Sequence, residues 1–447
     1  MKLLLPLPRP TYYLGETENK WSPRPPLRVV PFITRVRIAN FKNLRAVDTT
    51  LDAFNVLVGL NGSGKSNFID ALKFLTEAVT YPTIAQAVEQ RGGIERLLSR
   101  VPDPTDRLAI SVETKVAYGP DEDQIVTSFY GFEISSSNKP GDRPFIVERE
   151  ECRVHFPPSA PGGGPKAFSV RRGKIDQQRS LGVPMSEIEP DRLYLPIASA
   201  ATNLAPLFNS LRLMAFYNLE LSSLRKLDQS SAGDLLGTRG ENLGSLLKQM
   251  GTSYPHAKDR INQYMRTIVP GLSSVREYYE GSYLTAGMDQ DVDESRTEIF
   301  SSSEMSDGTL RSAAILTLLF QPWVLEGRIP LIAIEEPELA IHPAGAGVLF
   351  DAMQEASSWV QIIATSHSGD LLDRDDFPTD AIRVVTNDFG CTAIGAVDEA
   401  GRKSLREALF TPGELLRADQ LRPDQQSQML SKSEAFDVFS DLSSCND

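Results

Sequence analysis

Short apolar runs and helical spacings alternate near both ends of this chain. Residues 33–41 and 54–58 carry the apolar positions of two strands, and residues 67–79 place apolar side chains at helical spacing. A similar pattern closes the chain, with a helix predicted over 310–320, a buried strand over 330–334, a helix over 344–358 and a strand over 360–364. Strands that alternate with helices favour an α/β fold with a parallel sheet.

The middle of the chain has different patterns of apolar and polar positions. Residues 108–116, 125–134 and 145–156 alternate between apolar and polar positions, which predicts strands. Residues 191–268 are predicted to be mainly helical, and no heptad is sustained through them. We therefore predict six parts: a Pro-rich N-terminal arm over 1–31, a first α/β part over 32–105, a β-rich lobe with a basic loop over 106–190, a mainly helical insertion over 191–299, a second α/β part over 300–400, and a C-terminal helix with a mobile tail over 401–447.

Composition narrows the class of protein. The 447 residues include 46 Lys and Arg against 59 Asp and Glu, a formal net charge of −13. This balance argues against coating nucleic acid by bulk charge, although a local basic groove stays open. Three cysteines are too few and too scattered for a disulfide framework or a zinc site, and we find neither a signal peptide nor a membrane span. We therefore expect a cytoplasmic protein with no membrane partner.

One glycine-rich segment matches the phosphate-loop pattern G-x-x-x-x-G-K-[ST] without a mismatch: Gly59-Leu60-Asn61-Gly62-Ser63-Gly64-Lys65-Ser66. Its glycines let backbone N–H groups curl around phosphate oxygens, and the following helix adds its N-terminal dipole. Lys65 would contact the β- and γ-phosphates of ATP, and the Ser66 hydroxyl would bind Mg²⁺. The alternative is a plain glycine turn, but the strand and the helix on its two sides are those that the motif requires.

A second candidate site is the acidic end of an apolar strand, where Glu335 and Glu336 follow residues 331–334. The first carboxylate would orient Mg²⁺ and its waters, and the second would polarise an attacking water. Two acids after a strand are a weak signal alone, since acids often cap strands. The phosphate loop and the following Pro337-Glu338 and His342-Pro343 strengthen it.

Two further segments lie where such a site needs them. Ser306-Asp307-Gly308 precedes the apolar helix 310–320, although an ordinary helix cap would look the same. His367 comes just after the strand 360–364. A lone histidine is usually only a hydrogen-bonded group, but the chain has four, and this one is predicted beside a phosphate site.

The order of these motifs resembles that of ABC-type ATPases of the SMC/RecF kind. Within that group, Ile334-Glu335-Glu336-Pro337-Glu338 with Ile341-His342-Pro343 is most similar to ATPases of the OLD (overcoming lysogenisation defect) family. The resemblance covers about residues 33–105 and 300–400, and it implies a two-lobed ATPase head with an inserted domain. Position 335 departs from the wider superfamily, where most relatives carry Asp. We find no second acidic strand set, and therefore expect no nuclease of the chain's own.

The resemblance also implies residue roles. Nucleotide contacts would come from Asn61 to Asn67, the hydrolytic base would be Glu336, and His367 would contact the γ-phosphate. Glu335, Ser66 and Gln90 would form the metal site. Gln90 would link Mg²⁺ to the lobe interface. Ser306 and Gly308 would reach the ATP of a second subunit, because such ATPases work as head-to-tail pairs.

Two functions remain open at this point. The first is an ATP-driven switch, a homodimer or higher homo-oligomer that controls a separate effector, often in bacterial anti-phage defence. The second is a RecF/SMC-like DNA-binding clamp in repair or chromosome maintenance, since residues 139–179 hold nine cations against five acids. That basic stretch could equally be a solvated surface. A transporter motor is disfavoured by the missing membrane segment and by Asp307, where transporters have Gly.

Overall fold

The computed structural model describes residues 30–440, with gaps at 102, 119–123, 138–142, 158–162, 180–187, 201–202, 230–232, 294–295, 370 and 375–376. Most of the predicted Pro-rich arm, residues 1–29, and the end of the predicted tail, residues 441–447, lie outside the described residues. None of the helices in the described ranges combines the length and the apolarity that a membrane crossing requires.

The strands of the described residues are β1 (Ile33–Phe41), β2 (Leu44–Thr50), β3 (Phe54–Val58), β4 (Arg107–Tyr118), β5 (Gln124–Ser136), β6 (Phe145–Phe156), β7 (Gly164–Arg171), β8 (Lys174–Arg179), β9 (Ala215–Tyr217), β10 (Leu272–Glu280), β11 (Tyr283–Asp293), β12 (Arg296–Ser301), β13 (Leu331–Glu335), β14 (Gln361–Ser366), β15 (Ile382–Asp388) and β16 (Cys391–Gly395). The helices are α1 (Lys65–Thr80), α2 (Ile84–Glu89), α3 (Leu195–Ala198), α4 (Ala205–Arg212), α5 (Leu221–Leu224), α6 (Leu243–Ser253), α7 (Pro255–Ile268), α8 (Asp307–Phe320), α9 (Pro322–Leu325), α10 (Pro343–Ala356), α11 (Glu399–Arg406), α12 (Pro412–Arg417) and α13 (Gln425–Leu430).

A six-stranded sheet carries the predicted alternation of strands and helices. Its order is β16-β15-β3-β14-β13-β9, and every neighbouring pair from β15 to β9 runs parallel. In β3, Leu57 faces one hydrophobic core while Val56 and Val58 face the other. The sheet is therefore covered on both sides, as parallel sheets require. The α/β class and the parallel sheet predicted from the sequence are confirmed.

A seven-stranded antiparallel sheet covers the first core. Its order is β2-β1-β4-β5-β6-β7-β8, so the predicted β-rich lobe continues the sheet that β1 and β2 begin. Helix α1 lies between the two sheets, since its Phe68 and Phe74 share a core with Ile38 of β1 and Leu57 of β3. The predicted boundary at residue 105 therefore runs through one sheet, because β1 pairs directly with β4.

The stretch predicted as a mainly helical insertion also holds strands. Helices α3 to α7 occupy much of it, but β9 adds an edge strand to the parallel sheet by pairing with β13. Strands β10 to β12 then form a separate antiparallel sheet that packs on α6 and α7. This stretch is thus part of the head rather than a purely helical addition to it.

The described residues after 423, which the sequence predicts as a mobile tail, pack against the rest of the chain. Helix α13 packs against β16 and β2. Beyond it, Val438 and Phe439 are buried against β1, β4 and β5. Arg149 lies over the Phe439 ring, and the Ser111 hydroxyl donates to the Val438 carbonyl at 2.9 Å. Through these two apolar residues, the otherwise polar segment packs on the antiparallel sheet.

Candidate functional site

The phosphate loop and the acidic strand tip lie at the same edge of the parallel sheet. Strands β3 and β13 both pair with β14, which runs between them. The Gly59 N–H donates to the Ser366 carbonyl at 3.4 Å, and the Glu336 N–H donates to the Thr365 carbonyl at 3.2 Å. Since only one strand separates them, the two loops leave the sheet about 10 Å apart. The structure thus brings together the two stretches that the sequence singled out.

The loop itself needs glycine. Gly62 and Gly64 have φ angles of 75° and 114°, in the region that disfavours side chains. A Cβ atom on Gly64 would lie 2.5 Å from the Thr392 hydroxyl oxygen, and that hydroxyl donates to the Ser63 carbonyl at 2.8 Å. Thr392 comes from β16, more than 300 residues away, so no local pattern in the sequence pointed to it. Through this hydrogen bond, Thr392 supports the phosphate loop.

The ligand side of the loop is open. Asn61, Gly62 and Ser66 are exposed, and Ser66 stands in the first turn of α1. Asn67 is half-buried, and its amide donates to the Asn43 side-chain oxygen at 2.7 Å. Backbone N–H groups and a hydroxyl are therefore available at a helix N-terminus, the arrangement that receives phosphate groups.

Lys65 is buried, with its ammonium held by the loop. It donates to the carbonyls of Gly59 at 2.7 Å and Leu60 at 3.0 Å. Burial lowers the pKa of Lys65, while the carboxylates of Glu336 and Glu338 oppose that shift. No carboxylate of the described residues lies within ion-pair distance of this ammonium. An arriving anion would meet a desolvated positive charge that no acid neutralises directly.

Glu336 and His367 form a pair at the strand tip. The His367 Nδ1 atom lies 2.9 Å from a Glu336 carboxylate oxygen, and about a third of each side chain is exposed (35% and 34%). Glu336 has a φ of +46°, a left-handed conformation that is strained for a residue with a side chain. The Arg311 guanidinium donates to the Glu336 carbonyl at 3.4 Å. Two of the predicted catalytic residues therefore touch each other beside the third, Lys65.

Two buried charged groups complete the site, and neither was assigned a role from the sequence. Arg311 is 4% exposed and donates to the Leu219 carbonyl at 3.1 Å. Burial lowers the pKa of Arg311, and the acids Glu336 and Glu338 oppose that shift. Burial raises the pKa of Glu338, which is 7% exposed. A single cation inside the apolar run 310–320 was the signal that could have revealed Arg311.

Gln90 is not brought to this edge. Its amide exchanges hydrogen bonds with the Tyr81 hydroxyl, at 3.1 and 3.3 Å. Tyr81 follows the last residue of α1, whereas Ser66 lies in its first turn, and the ends of a helix of this length are about 22 Å apart. The link from Gln90 to a metal at Ser66 is therefore not supported by this arrangement.

Ser306 and Gly308 lie at the N-terminus of α8. Ser306 is exposed and caps α8, its hydroxyl oxygen accepting the Thr309 N–H at 3.2 Å. Gly308 packs against the Ala340 carbonyl, 2.6 Å from where a Cβ would stand. Within the described residues, no hydrogen bond joins either residue to the phosphate loop. The helix-cap interpretation holds for Ser306, and its exposure leaves the cap accessible to another molecule.

The oxygen donors present fit Mg²⁺ carried by a nucleotide. In the described part of the chain, no three His, Cys, Asp or Glu residues cluster as a complete metal site. Mg²⁺ prefers one or two protein oxygens together with phosphates and waters. The exposed Ser66 hydroxyl and the half-buried Glu335 carboxylate at the end of β13 are donors of that kind.

The described arginines of the basic stretch proposed for DNA contact are paired with acids of the same chain, whereas no ion pair is found for Lys166 or Lys174 among the described residues. Arg149 and Arg153 both bind Glu151 at 2.6 Å, and Arg172 binds Glu148 at 2.7 Å. The remaining described arginines are also paired, Arg143 with Glu189 and Asp191, and Arg171 with Asp176. Lys139 and the side chain of Arg179 lie outside the described residues.

Two family models match the chain. One is described as "AAA domain, putative AbiEii toxin, Type IV TA system" and matches residues 191–374. The other is described as the RecF/RecN/SMC N-terminal domain and matches residues 32–83. The first match contains the acidic strand and His367, and the second contains the phosphate loop.

Individual proteins match as well. The Old nuclease of Escherichia phage P2 is 23% identical over 401 residues, covering 82% of this chain and 61% of that protein, so the chain spans about three fifths of that relative's length. The DNA replication and repair protein RecF of Pasteurella multocida is 52% identical over 44 residues, which are 10% of this chain and 12% of RecF. A crystal structure of an SMC head bound to the C-terminal winged-helix domain of ScpA aligns over 83% of this chain and 100% of that one, with a TM-score of 0.48 and 15% identity.

Proposed function

We propose that this chain, whose resemblance to the SMC/RecF/OLD-like group of ABC-type ATPases is confirmed by both family models and by the Old nuclease match, binds and hydrolyses ATP. The observation that carries the proposal is the shared sheet edge. There, the loop that holds the buried ammonium of Lys65 and the loop that carries Glu336, the partner of His367, leave the sheet about 10 Å apart, with one strand between them. A triphosphate fits between a cationic phosphate cradle and a carboxylate that can accept a proton.

Each group has one part in the reaction. The loop N–H groups and Lys65 would hold the β- and γ-phosphates, while Ser66 and Glu335 would supply protein oxygens for Mg²⁺, which would neutralise phosphate charge. Glu336 accepts the proton of the attacking water. His367, 2.9 Å from that carboxylate, would fix its orientation and contact the γ-phosphate.

A second copy of the chain would complete the site. Ser306 is exposed at the N-terminus of α8, a fourteen-residue helix, and in the described part of the chain no hydrogen bond joins it to the phosphate loop of the same chain. Facing another subunit, this helix end would receive the γ-phosphate held by that subunit's loop. ATP would then bind the closed dimer better than the open one, which is what a population shift requires.

The controlled partner is a separate effector in anti-phage defence. Support comes from the family model named for a toxin–antitoxin system and from the phage nuclease match, in which the chain corresponds to about three fifths of the relative. The second candidate is a RecF-like DNA clamp, favoured by the RecF match around the phosphate loop. The neutralised arginines of the antiparallel sheet count against it.

The test uses Glu336→Gln, which removes the proton acceptor and retains the side-chain shape. We expect wild-type protein to hydrolyse ATP, and Glu336→Gln to bind ATP and form dimers by light scattering without turnover. Adding Ser306→Arg should abolish the dimer, whereas the matched exposed change Ser358→Arg should not. The trapped dimer should also capture the product of a neighbouring reading frame from native extract. Absence of ATP turnover by wild type, alone and with that product, would refute the enzyme assignment.

A further inference from the structure

Glu338 is the most deeply buried acid at this edge of the sheet. Only 7% of the residue is exposed, and one carboxylate oxygen accepts the Ser366 hydroxyl at 2.5 Å. The other oxygen is buried and has no hydrogen-bond partner among the described residues. A buried carboxylate that leaves one oxygen unmatched is costly, so its presence calls for a role beyond packing.

Ser366, its partner, contacts three parts of the site. Its carbonyl accepts the Gly59 N–H where the phosphate loop begins, at 3.4 Å. Its hydroxyl oxygen accepts the Ser368 N–H at 3.1 Å and so shapes the turn that carries His367. The single proton of this hydroxyl has two acceptors within reach, the Glu338 carboxylate at 2.5 Å and the Ser368 carbonyl at 3.2 Å. The shorter contact orients the proton to Glu338, which leaves the oxygen lone pairs for the Ser368 N–H.

We infer that Glu338 is a positioning residue, which acts through the Ser366 hydroxyl to set the turn of His367 and thereby the Glu336–His367 contact. The inference rests on the proposed function, since it concerns the rate of ATP hydrolysis. Glu338 need not touch the nucleotide in this role. Its effect passes along the hydrogen bonds from Glu338 to Ser366 and from Ser366 to Ser368, the residue after His367.

The surrounding charges allow a rival explanation. Glu338 opposes the burial-driven lowering of pKa at both Lys65 and Arg311, so its charge also stabilises two buried cations. If only the charge mattered, glutamine would fail as badly as alanine. If the hydrogen bond to Ser366 matters, glutamine should replace glutamate, because its amide oxygen can accept the same hydroxyl.

The experiment compares Glu338→Ala, Glu338→Gln, Ser366→Ala and the double variant Glu338→Ala/Ser366→Ala in the full chain, with exposed Glu280→Gln as the matched control. We expect Glu338→Ala and Ser366→Ala each to lower kcat about tenfold or more while the Kd for ATP stays within threefold. Glu338→Gln should keep kcat within threefold of wild type. The double variant should be no slower than Glu338→Ala, because both changes remove the same hydrogen bond between Ser366 and Glu338.

Other outcomes overturn the inference. Alanine at 338 with an unchanged kcat, glutamine as slow as alanine, or single effects that multiply in the double variant would each contradict a link through Ser366. A purely structural role would lower the melting temperature and leave kcat per folded molecule unchanged. If Glu338→Ala fails to fold, the Glu338→Gln and Ser366→Ala rates still decide. Failure of wild-type turnover would instead refute the proposed function, which the same assay reports separately.

Discussion

Two buried carboxylates, Glu150 in the antiparallel sheet and Glu338 in the loop after β13, have different hydrogen-bond partners. Glu150 of the antiparallel sheet is fully buried and accepts three donors, the Tyr130 hydroxyl at 2.9 Å and the N–H groups of Tyr194 and Leu195. Glu338 of the parallel sheet's edge accepts the Ser366 hydroxyl, and its second oxygen has no partner among the described residues. Three donors make Glu150 part of the scaffold, whereas the unmatched oxygen of Glu338 marks a site.

The cations of the two regions differ in the same way. Arg149 and Arg153 of the antiparallel sheet share the carboxylate of Glu151. Lys65 has carbonyl partners and, within the described ranges, no carboxylate within ion-pair distance. A cation that is already paired gains little from a phosphate, while a desolvated and unpaired one gains much. A cation without a carboxylate partner, rather than a large number of cations, therefore identifies the anion site.

The largest expected effect is at Lys65. Lys65→Ala removes the one buried ammonium of the loop, and two charge-assisted contacts to phosphate are worth about 4 kcal/mol together, or about a thousandfold in the Kd for ATP. Titration calorimetry with ATP measures this directly. Lys226→Ala, at an exposed lysine, is the control and should leave the affinity unchanged. Equal ATP affinity in Lys65→Ala and wild type would break the comparison at its strongest point.

At Glu150 we expect a pH effect on the stability of the fold rather than on ATP binding. Burial raises the pKa of Glu150 from its ordinary 4.5 to about 7. Between those values the folded chain keeps a proton that the unfolded chain releases, so the free energy of unfolding should fall as the pH rises. The fall is about 3 kcal/mol for a shift of this size.

Urea unfolding at pH 5 and pH 8 checks this expectation. Glu150→Gln cannot titrate, so its loss of stability between the two pH values should be smaller by about that amount, although the variant is less stable at pH 5 because it keeps only one acceptor oxygen. A wild type and a variant with equal pH dependence would show that Glu150 does not titrate in this range.

Local patterns predicted most of the scaffold. The apolar periodicities of β3, α1, β13 and β14 depend on neighbouring residues only, so their existence and the parallel sheet could be derived from sequence. Strand β9 has three residues and owes its conformation to pairing with β13, a contact that no local pattern reveals. The burial of Phe439 likewise depends on a surface built more than 300 residues earlier.

The site residues that belong to contiguous sequence motifs could be predicted. Lys65 and Glu336 come from contiguous motifs, and the structure brings them to one sheet edge. The role of Gln90 is implied by the resemblance alone, and its side chain lies against Tyr81. Thr392 supports the phosphate loop from a distant hairpin, where nothing in the sequence distinguishes it from an ordinary strand residue.

A smaller effect tests the shape of the phosphate cradle. Gly64→Ala places a Cβ 2.5 Å from the Thr392 hydroxyl oxygen and forces a φ of 114° on a residue with a side chain. We expect ATP affinity to fall about tenfold more than in Gly62→Ala, since the collision with Thr392 costs about 1–3 kcal/mol beyond the backbone strain. Gly62→Ala is the matched control, because its φ of 75° is also positive but its Cβ meets nothing within 4 Å, so its effect should be clearly smaller. Equal effects of the two changes would contradict support of the loop by Thr392.

The smallest effect is expected on the antiparallel sheet, and it separates the switch from the DNA clamp. Arg149, Arg153 and Arg172 each bind a glutamate of β6, so replacing all three with glutamine should change DNA binding and DNA-dependent ATP turnover less than twofold. Fluorescence anisotropy with duplex DNA at 50 and 200 mM salt measures the binding. A steep salt dependence that the triple variant abolishes would mean that these arginines leave their glutamates for phosphates. In that case an ion pair within the chain would not predict an unavailable cation, and the contrast between the two sheets would rest on Lys65 alone.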